Sequence, residues 1–237
     1  MKRIVLIHTV KSVYESFEGK LRAALGGLGE ELKIHNMLDD FLAFDVLPSE
    51  KGRFTDPNKR RLLLDLMSAE LTGADIIVTT CSQLSPTVKQ FGLLIKAPIV
   101  TIDGAMIENA VSVSSKIGLL STAFGTVPPM TEMIELEAKK QGKHIELQIL
   151  CDNDAIMALR AGDMEKHDRL VRRLAGAAVR CESIIMAQAS AAHMRGAVAE
   201  ISGVPVFTGV DMCIEQIAEL LMLNINPQVN RSGHAEQ

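Results

Sequence analysis

Short apolar segments alternate with longer segments of mixed polarity along the whole chain. The apolar segments are rich in Ile, Val and Leu and rarely alternate with polar residues, a pattern typical of strands buried on both faces of a parallel sheet. This pattern predicts strands at Ile4–His8, Leu32–Met37, Ile76–Thr80, Pro98–Ile102, Ile117–Ser121, Ile145–Leu150, Ile184–Ala187 and Val204–Thr208.

The segments between these strands carry apolar residues at helical spacing. They predict helices at Val13–Leu25, Lys59–Leu71, Pro86–Lys96, Met130–Gln141, Met164–Arg180, Ala192–Ile201 and Met212–Leu223. Because strands and helices alternate, we expect right-handed crossovers between parallel strands. The sequence therefore predicts an α/β fold.

Three segments of the chain have later counterparts that come in the same order. KRIVLIHTV is echoed by KIGLLSTAFGT, ADIIVTTCS by CESIIMAQAS, and KAPIVTIDGAM by GVPVFTGVDMC. One such match between buried strands is weak, but three in order indicate two similar α/β halves. We expect a first half formed by residues 1–98 and 209–237 and a second half formed by residues 99–208. The last predicted helix would then pack back on the first half.

Composition narrows the class of protein. Apolar residues make up 47% and charged residues 23%, and with no Trp, one Tyr and seven Phe the core must be largely aliphatic. A net charge of −4 without a basic patch argues against nucleic acid as the main partner. No apolar run approaches the length of a membrane span, and MKRIVLIHTV is interpreted as a first strand rather than a signal peptide. We therefore expect no membrane partner.

The four cysteines lie far apart and show no C-x-x-C spacing. A zinc site and a disulfide framework are therefore not expected, and a reducing cytoplasm fits best. The chain also lacks G-x-G-x-x-G and P-loop motifs, so neither a dinucleotide nor ATP is indicated. The sequence predicts no cofactor and no metal.

Ligand sites in open parallel sheets form beyond the carboxyl ends of strands, so two facing halves would share one cleft. The predicted strand ends carry small or polar residues: His8 and Thr9, Cys81 to Gln83, Ser121 to Thr126, and Gln188 to Ser190. Only the thiol of Cys81, once ionised, is a strong base near neutral pH. Ser85 and Pro86 are interpreted as a helix N-cap and the first helical residue, which would place this thiol where peptide dipoles lower its pKa. The alternative is a buried, inert cysteine.

Polar groups at these strand ends are suited to holding a carboxylate. The candidates are Ser82, Gln83, Thr122, Thr126 and Ser190, and the alternative is that they cap helices. His8 and Thr9, at the end of the first strand, are also expected to border the substrate, and His8 fits a structural role better than a catalytic one. Asp103 is interpreted as a helix cap. His193 is interpreted as part of a turn within its helix. The three other cysteines, Cys151, Cys181 and Cys213, are interpreted as structural.

Several segments together resemble the aspartate/glutamate/hydantoin racemase superfamily: LIHTV, NMLDDFLAFDV, VTTCSQLSPTV, PIVTIDGAMIENAV, KIGLLSTAFGT, RAGDMEKHDRLV and IIMAQASAAHM. The resemblance implies two flavodoxin-like halves around a cleft, no cofactor, a small carboxylate-bearing substrate, and a homodimer or higher homo-oligomer. In these racemases a cysteine from each half flanks the substrate α-carbon. Cys81 matches the first cysteine, and Gln188, or Ala189 if the alignment slips by one residue, matches the second.

Neither Gln188 nor Ala189 can carry a proton, whereas two-base racemisation needs an acid–base group on each face of a planar carbanion. The chain also resembles the single-thiol arylmalonate decarboxylases of this superfamily, which implies that Ser82, Gln83, Phe124 and the Ala189 backbone hold a carboxylate. Three hypotheses stay open at this point. They are an isomerase or racemase with Cys81 as base, a decarboxylase or other C–C lyase with Cys81 as one-sided acid or nucleophile, and a non-catalytic carboxylate-binding protein.

Overall fold

The structure is a computed structural model of the chain and describes residues 1–27, 31–44 and 54–225. Within these ranges the strands form two parallel sheets. The first sheet has the order β2-β1-β3-β4 and contains β1 Lys2–His8, β2 Leu32–Leu38, β3 Ile76–Thr79 and β4 Ile99–Thr101. The second has the order β6-β5-β7-β8 and contains β5 Lys116–Ser121, β6 Glu146–Cys151, β7 Ser183–Met186 and β8 Val206–Thr208. The predicted α/β class with two similar parallel sheets is confirmed.

Helices connect these strands. They are α1 Lys11–Leu25, α2 Phe41–Phe44, α3 Asp56–Leu71, α4 Ser85–Phe91, α5 Gly104–Val113, α6 Val127–Lys140, α7 Asn153–Arg160, α8 Met164–Gly176, α9 Arg195–Ser202 and α10 Gly209–Ile225. Short 3-10 turns occupy Gly92–Leu94, Phe124–Thr126 and Ala189–Met194. The periodicity did not predict α2, α5 or α7, and α8 ends before the predicted Arg180.

The two sheets have the same strand order, and the three echoed segment pairs coincide with it. They correspond to β1 and β5, to β3 and β7, and to β4 and β8. β4 pairs with β3 in the first sheet, although the predicted boundary at residue 98 would place it in the second half. The sheets themselves therefore separate between β4 and β5, while the proposed division into domains stays a prediction.

The helix that follows the last strand of each sheet packs on the core of the other sheet. From α10, Val210, Cys213, Ile214, Ile217 and Leu221 are buried in one cluster with side chains of β1, β3 and α1. From α5, Met106, Ile107, Ala110 and Val111 are buried in one cluster with side chains of β5, β7 and α6. Each large aliphatic side chain in these clusters contributes roughly 1.5–3 kcal/mol by leaving water. This exchange of helices holds the two sheets together.

Candidate active site

Cys81 lies just beyond the carboxyl end of β3, in the turn that leads into α4. The N–H of Leu84 donates a hydrogen bond to the carbonyl of Cys81 at 3.0 Å, which closes this turn. The side chain of Cys81 is half-buried and packs against the apolar core behind β3. The thiol is therefore at the strand end, where a parallel sheet presents its ligand sites, and it is not sealed inside the core.

Burial raises the pKa of the Cys81 thiol, and the carboxyl of Asp103 adds to the rise. Hydrogen bonds from the hydroxyl of Thr9 and from the N–H groups of Gln83 and Leu84 oppose it by stabilising the thiolate. The prediction of a lowered pKa for the Cys81 thiol is therefore wrong. The physical reason is that α4 has only 7 residues, and its dipole does not outweigh the loss of solvation around the sulfur.

The sequence suggested that Ser85 and Asp103 cap helices, but in the structure their side chains are bonded to each other. Ser85 is the first residue of α4, and its hydroxyl donates to Oδ1 of Asp103 at 2.8 Å. The side chain of Asp103 forms no capping bond to α5. Asp103 is 0% exposed, and its Oδ2 has no hydrogen-bond partner among the described residues. Burial raises the pKa of this carboxyl, and the bond from Ser85 offsets the rise only in part.

The backbone hydrogen bonds identify which residue of the second sheet corresponds to Cys81. The N–H of Thr80, directly before Cys81, donates to β1 at 3.1 Å. The N–H of Ala187, directly before Gln188, donates to β5 at 2.9 Å in the same way. Because β1 and β5 hold the same place in their sheets, Cys81 and Gln188 occupy equivalent positions. The alternative that placed Ala189 opposite Cys81 does not fit this register.

The side-chain amide of Gln188 is hydrogen-bonded at both ends within its own half. Its Oε1 accepts from the N–H of Thr122 at 2.9 Å, and its Nε2 donates to the hydroxyl of Ser121 at 2.9 Å. Gln188 therefore connects the end of β7 to the end of β5. A contact of Gln188 with substrate stays a prediction.

The strand ends of the two halves touch beside Cys81. The hydroxyl of Ser82 donates to the carbonyl of Ala187 at 3.4 Å. The side chain of Gln83 lies so close to Gly125 that a Cβ at Gly125 would be 3.1 Å from its Nε2. Ala189 packs against the core of the first half. Candidate residues from both halves thus meet at one place.

His8 is fully buried at the end of β1 and hydrogen-bonded at both ring nitrogens. Its Nε2 lies 3.0 Å from Oδ1 of Asn36, and its Nδ1 lies 2.8 Å from the hydroxyl of Thr80. Burial lowers the pKa of His8, and the neutral ring that this favours donates from Nε2 and accepts at Nδ1. Asn36 in turn donates to Glu18. These bonds support the residue before Cys81, and a contact of His8 with substrate stays a prediction.

The remaining candidates differ in exposure. Thr122 is 0% exposed, and its hydroxyl has no hydrogen-bond partner among the described residues. Thr126 is also buried, whereas Phe124 is 62% exposed and donates its N–H to Asn153 at 3.3 Å. Ser190 is half-buried in the 3-10 turn after β7. Of these, the unpartnered hydroxyl of Thr122 is the best placed to bind an added ligand group.

The other three cysteines are less suited to acid–base chemistry. Cys213 is 0% exposed in α10, and Cys181 bonds Gln148 at 3.1 Å near the amino end of β7. Cys151 ends β6 and pairs with Ser121 of β5, at the same edge of the sheet as Gln188. Two strand spacings, about 10 Å, separate β6 from β7. Sequence reasoning missed this placement of Cys151, although a cysteine directly after a predicted strand was a usable signal.

Two surface grooves lie elsewhere on the protein. One is formed by residues of α4, α5 and α6, and the other by residues of α6 and β6. Neither is lined by a candidate residue. We locate the candidate site at the joined strand ends, because the thiol and the unpartnered polar groups lie there. No helix in the described ranges has the length and hydropathy needed to cross a lipid bilayer.

Comparisons with known proteins identify solved structures that share this fold. Among solved structures, allantoin racemase from Klebsiella pneumoniae is 18% identical with a TM-score of 0.63, and the match covers 94% of this chain and 89% of that chain. Glutamate racemase RacE1 from Bacillus anthracis is 13% identical with a TM-score of 0.70, covering 94% and 82% respectively. An aspartate racemase homologue from Pyrococcus horikoshii OT3 is 18% identical with a TM-score of 0.63, covering 94% and 100%. At these identities the likenesses show the fold.

The comparison with curated proteins finds no match. The sequence model of the Asp/Glu/Hydantoin racemase family, however, matches residues 6–217, which is most of the chain. The chain therefore belongs to the Asp/Glu/hydantoin racemase family, a family of enzymes.

Proposed function

We propose that this protein is a cofactor-independent isomerase that transfers a proton at the carbon alpha to a small carboxylate, with Cys81 as the acid–base group. The observation that carries the proposal is the half-buried thiol of Cys81 at the point where the strand ends of the two halves meet. A glutamate racemase from Francisella tularensis, solved in complex with D-glutamate, has the same fold, which supports a small carboxylate as the substrate class.

Neutral donors at the strand ends would hold the substrate carboxylate. The hydroxyl of Thr122 is buried and has no partner within the described part of the chain, and the hydroxyl of Ser82 lies at the contact between the halves. Hydrogen bonds from such groups withdraw electron density and stabilise the enolate that forms when the α-proton leaves.

Proton transfer at Cys81 follows general acid–base rules. The thiolate takes the α-proton, the electron pair of the C–H bond moves into the carboxylate as an enolate, and a proton then returns to the carbon. The bonds to the sulfur from Thr9 and from two backbone N–H groups stabilise the thiolate for the first step. A thiol with a raised pKa is also the stronger base once ionised. For inversion, the returning proton must come from a donor other than Gln188.

A one-sided lyase is the second candidate, and two observations favour it. The position equivalent to Cys81 carries an amide, and burial favours the protonated form of the thiol. In a decarboxylation the C–C bond electrons would stay on the α-carbon as CO2 leaves. The Cys81 thiol would then donate its proton to that carbon, and water would reprotonate the sulfur. This route needs only one acid.

Proton exchange in D2O separates these functions. Amino acids, hydroxy acids and disubstituted malonates would be incubated with the protein and followed by ¹H NMR and chiral chromatography. Exchange of the α-hydrogen with inversion supports the isomerase. Release of CO2 with one deuterium of a single handedness supports the lyase. Saturable binding without either reaction would overturn both and leave the non-catalytic carboxylate-binding protein.

The expected homodimer also stays a proposal. Sedimentation velocity at micromolar concentration checks it, since a monomer under those conditions would contradict it.

A further inference from the structure

Two histidines and an aspartate form a cluster away from Cys81. His167 and Asp168 lie on α8, and His193 lies in the 3-10 turn after β7. Oδ1 of Asp168 is 2.8 Å from Nδ1 of His167 and 2.9 Å from Nε2 of His193. The two imidazole rings stack with their centroids 5.7 Å apart. Two rings from separate elements therefore converge on one carboxylate oxygen.

The burial of His167 is not explained by hydrogen bonding in the core. The residue is 0% exposed, and its Nε2 has no hydrogen-bond partner among the described residues. Leaving such a buried group unpaired is unfavourable. Among the described residues the ring forms one hydrogen bond, between its Nδ1 and Oδ1 of Asp168. The polar contact of this buried side chain is therefore made within the cluster.

The carboxylate of Asp168 lies between the two imidazoles, and each ring presents a nitrogen to the same carboxylate oxygen. Nitrogen and oxygen donors that converge in this way are suited to sharing one cation.

We propose that His167, Asp168 and His193 bind a divalent transition metal, with Zn²⁺ as the reference ion. Their potential ligand atoms all lie within 4.8 Å of one another. Small rotations would bring them to the ~3.4 Å spacing of ligands that are each about 2.1 Å from a tetrahedral ion. Two imidazoles and a carboxylate suit Zn²⁺, Co²⁺, Ni²⁺ or Cu²⁺ better than Mg²⁺ or Ca²⁺. The fourth position would be open to water.

A metal here would join α8 to the turn Ala189–Met194. This turn begins with Ala189 and Ser190, which are predicted to border the substrate. The ion would therefore restrain one wall of the candidate active site without touching substrate. The sequence predicted no metal because that prediction rested on cysteine spacing, whereas the proposed ligands are two histidines and an aspartate that come together only in the fold.

Zinc titration of the untagged, chelator-treated protein tests the proposal. We expect one Zn²⁺ per chain with a Kd of about 10 μM or tighter, measured by competition with a chromophoric chelator. His193→Ala should weaken binding at least about tenfold. His193 is exposed, so this variant leaves the core intact. His144→Ala removes an exposed histidine elsewhere and should leave the Kd unchanged. Equal Kd values for wild type and His193→Ala, or binding weaker than millimolar, would overturn the proposal.

Two further measurements test where the ion binds: one detects cysteine ligands, and the other detects binding beside residues 189–194. The Co²⁺-loaded protein should show d–d absorption without a sulfur-to-cobalt charge-transfer band, and such a band would contradict the assignment. Zn²⁺ should also slow hydrogen–deuterium exchange of residues 189–194 in the wild type but not in His193→Ala. Slowing that is equal in both proteins would place the ion elsewhere.

Discussion

The two halves share one strand order but differ in the residue that follows the third strand of each sheet. In the first half this residue is Cys81, a half-buried thiol hydrogen-bonded by Thr9. In the second half it is Gln188, whose amide is bound at both ends by Ser121 and Thr122. The same backbone position thus holds a group that can carry a proton in one half and a structural brace in the other. Similar folds on both sides of a site do not imply similar chemistry on both sides.

The strongest test of this difference places a thiol on the second side. Gln188→Cys would supply the missing acid–base group on the opposite face of the substrate. Because such a group contributes about 10²–10⁴-fold in rate, we expect inversion of the α-carbon to rise at least about 100-fold. The rate would be measured by chiral chromatography on a substrate found by the exchange screen.

Two controls accompany this variant. Gln188→Ala removes the same hydrogen bonds without adding a thiol, and Ala189→Cys adds a thiol one residue further along the turn. Neither should gain inversion. If Ala189→Cys gains inversion and Gln188→Cys does not, the equivalence of Cys81 and Gln188 is wrong for catalysis.

Gln188→Ala should also destabilise the fold, because it removes the bond from Gln188 to Ser121 and leaves the N–H of Thr122 without its partner. We expect the free energy of unfolding to fall by about 1–3 kcal/mol, measured by urea denaturation. Gln83→Ala is the matched change in the first half and should cost less than about 0.5 kcal/mol. Equal losses in the two variants would argue against a bracing role for Gln188.

Replacing two neighbours of Cys81 should shift the pKa of its thiol in opposite directions. Asp103→Asn removes a carboxyl that raises the pKa, so alkylation by iodoacetamide near pH 7.5 should become severalfold faster. Thr9→Val removes a hydrogen bond to the thiolate, so alkylation should become severalfold slower. The rates would be followed by mass spectrometry of the Cys81 peptide. A shift in the same direction for both variants would contradict the proposed surroundings of the sulfur.

The smallest expected effect concerns His8, whose pKa is lowered by burial. Since the unfolded chain then binds the proton more readily, His8 stabilises the fold above its unfolded pKa near 6.5, and this stability is lost as the pH falls. His8→Gln should therefore reduce the drop in unfolding free energy between pH 7 and pH 5. An unchanged drop in His8→Gln would argue against a buried, neutral His8.

The elements of the fold could be predicted from the sequence because hydrophobic patterning is local. Buried runs of Ile, Val and Leu located every strand within a few residues, and the echoed segments indicated the repeated strand order. The pattern also placed Cys81 at a strand end. The pattern missed helices such as α5, whose mostly small and apolar residues do not show a clear polar face.

The side-chain bonds of the site could not be predicted in the same way, because they depend on how distant segments meet. Ser85 and Pro86 resemble a helix start, yet Ser85 donates to Asp103, 18 residues away. Gln188 bonds Ser121 from 67 residues away. The helix-dipole argument wrongly predicted a lowered pKa for Cys81, because it could not weigh the burial that raises the pKa of this thiol.

The central claim is that Cys81 is the acid–base group of this protein, and deuterium incorporation tests it most directly. Wild type, Cys81→Ser and Cys151→Ser would be incubated in D2O with the same substrate, and deuterium at the α-carbon would be followed by ¹H NMR. We expect Cys81→Ser to lose at least about 100-fold in rate and Cys151→Ser to stay within about threefold of the wild type. A Cys81→Ser rate within about threefold of the wild type, roughly 0.7 kcal/mol, would contradict the account.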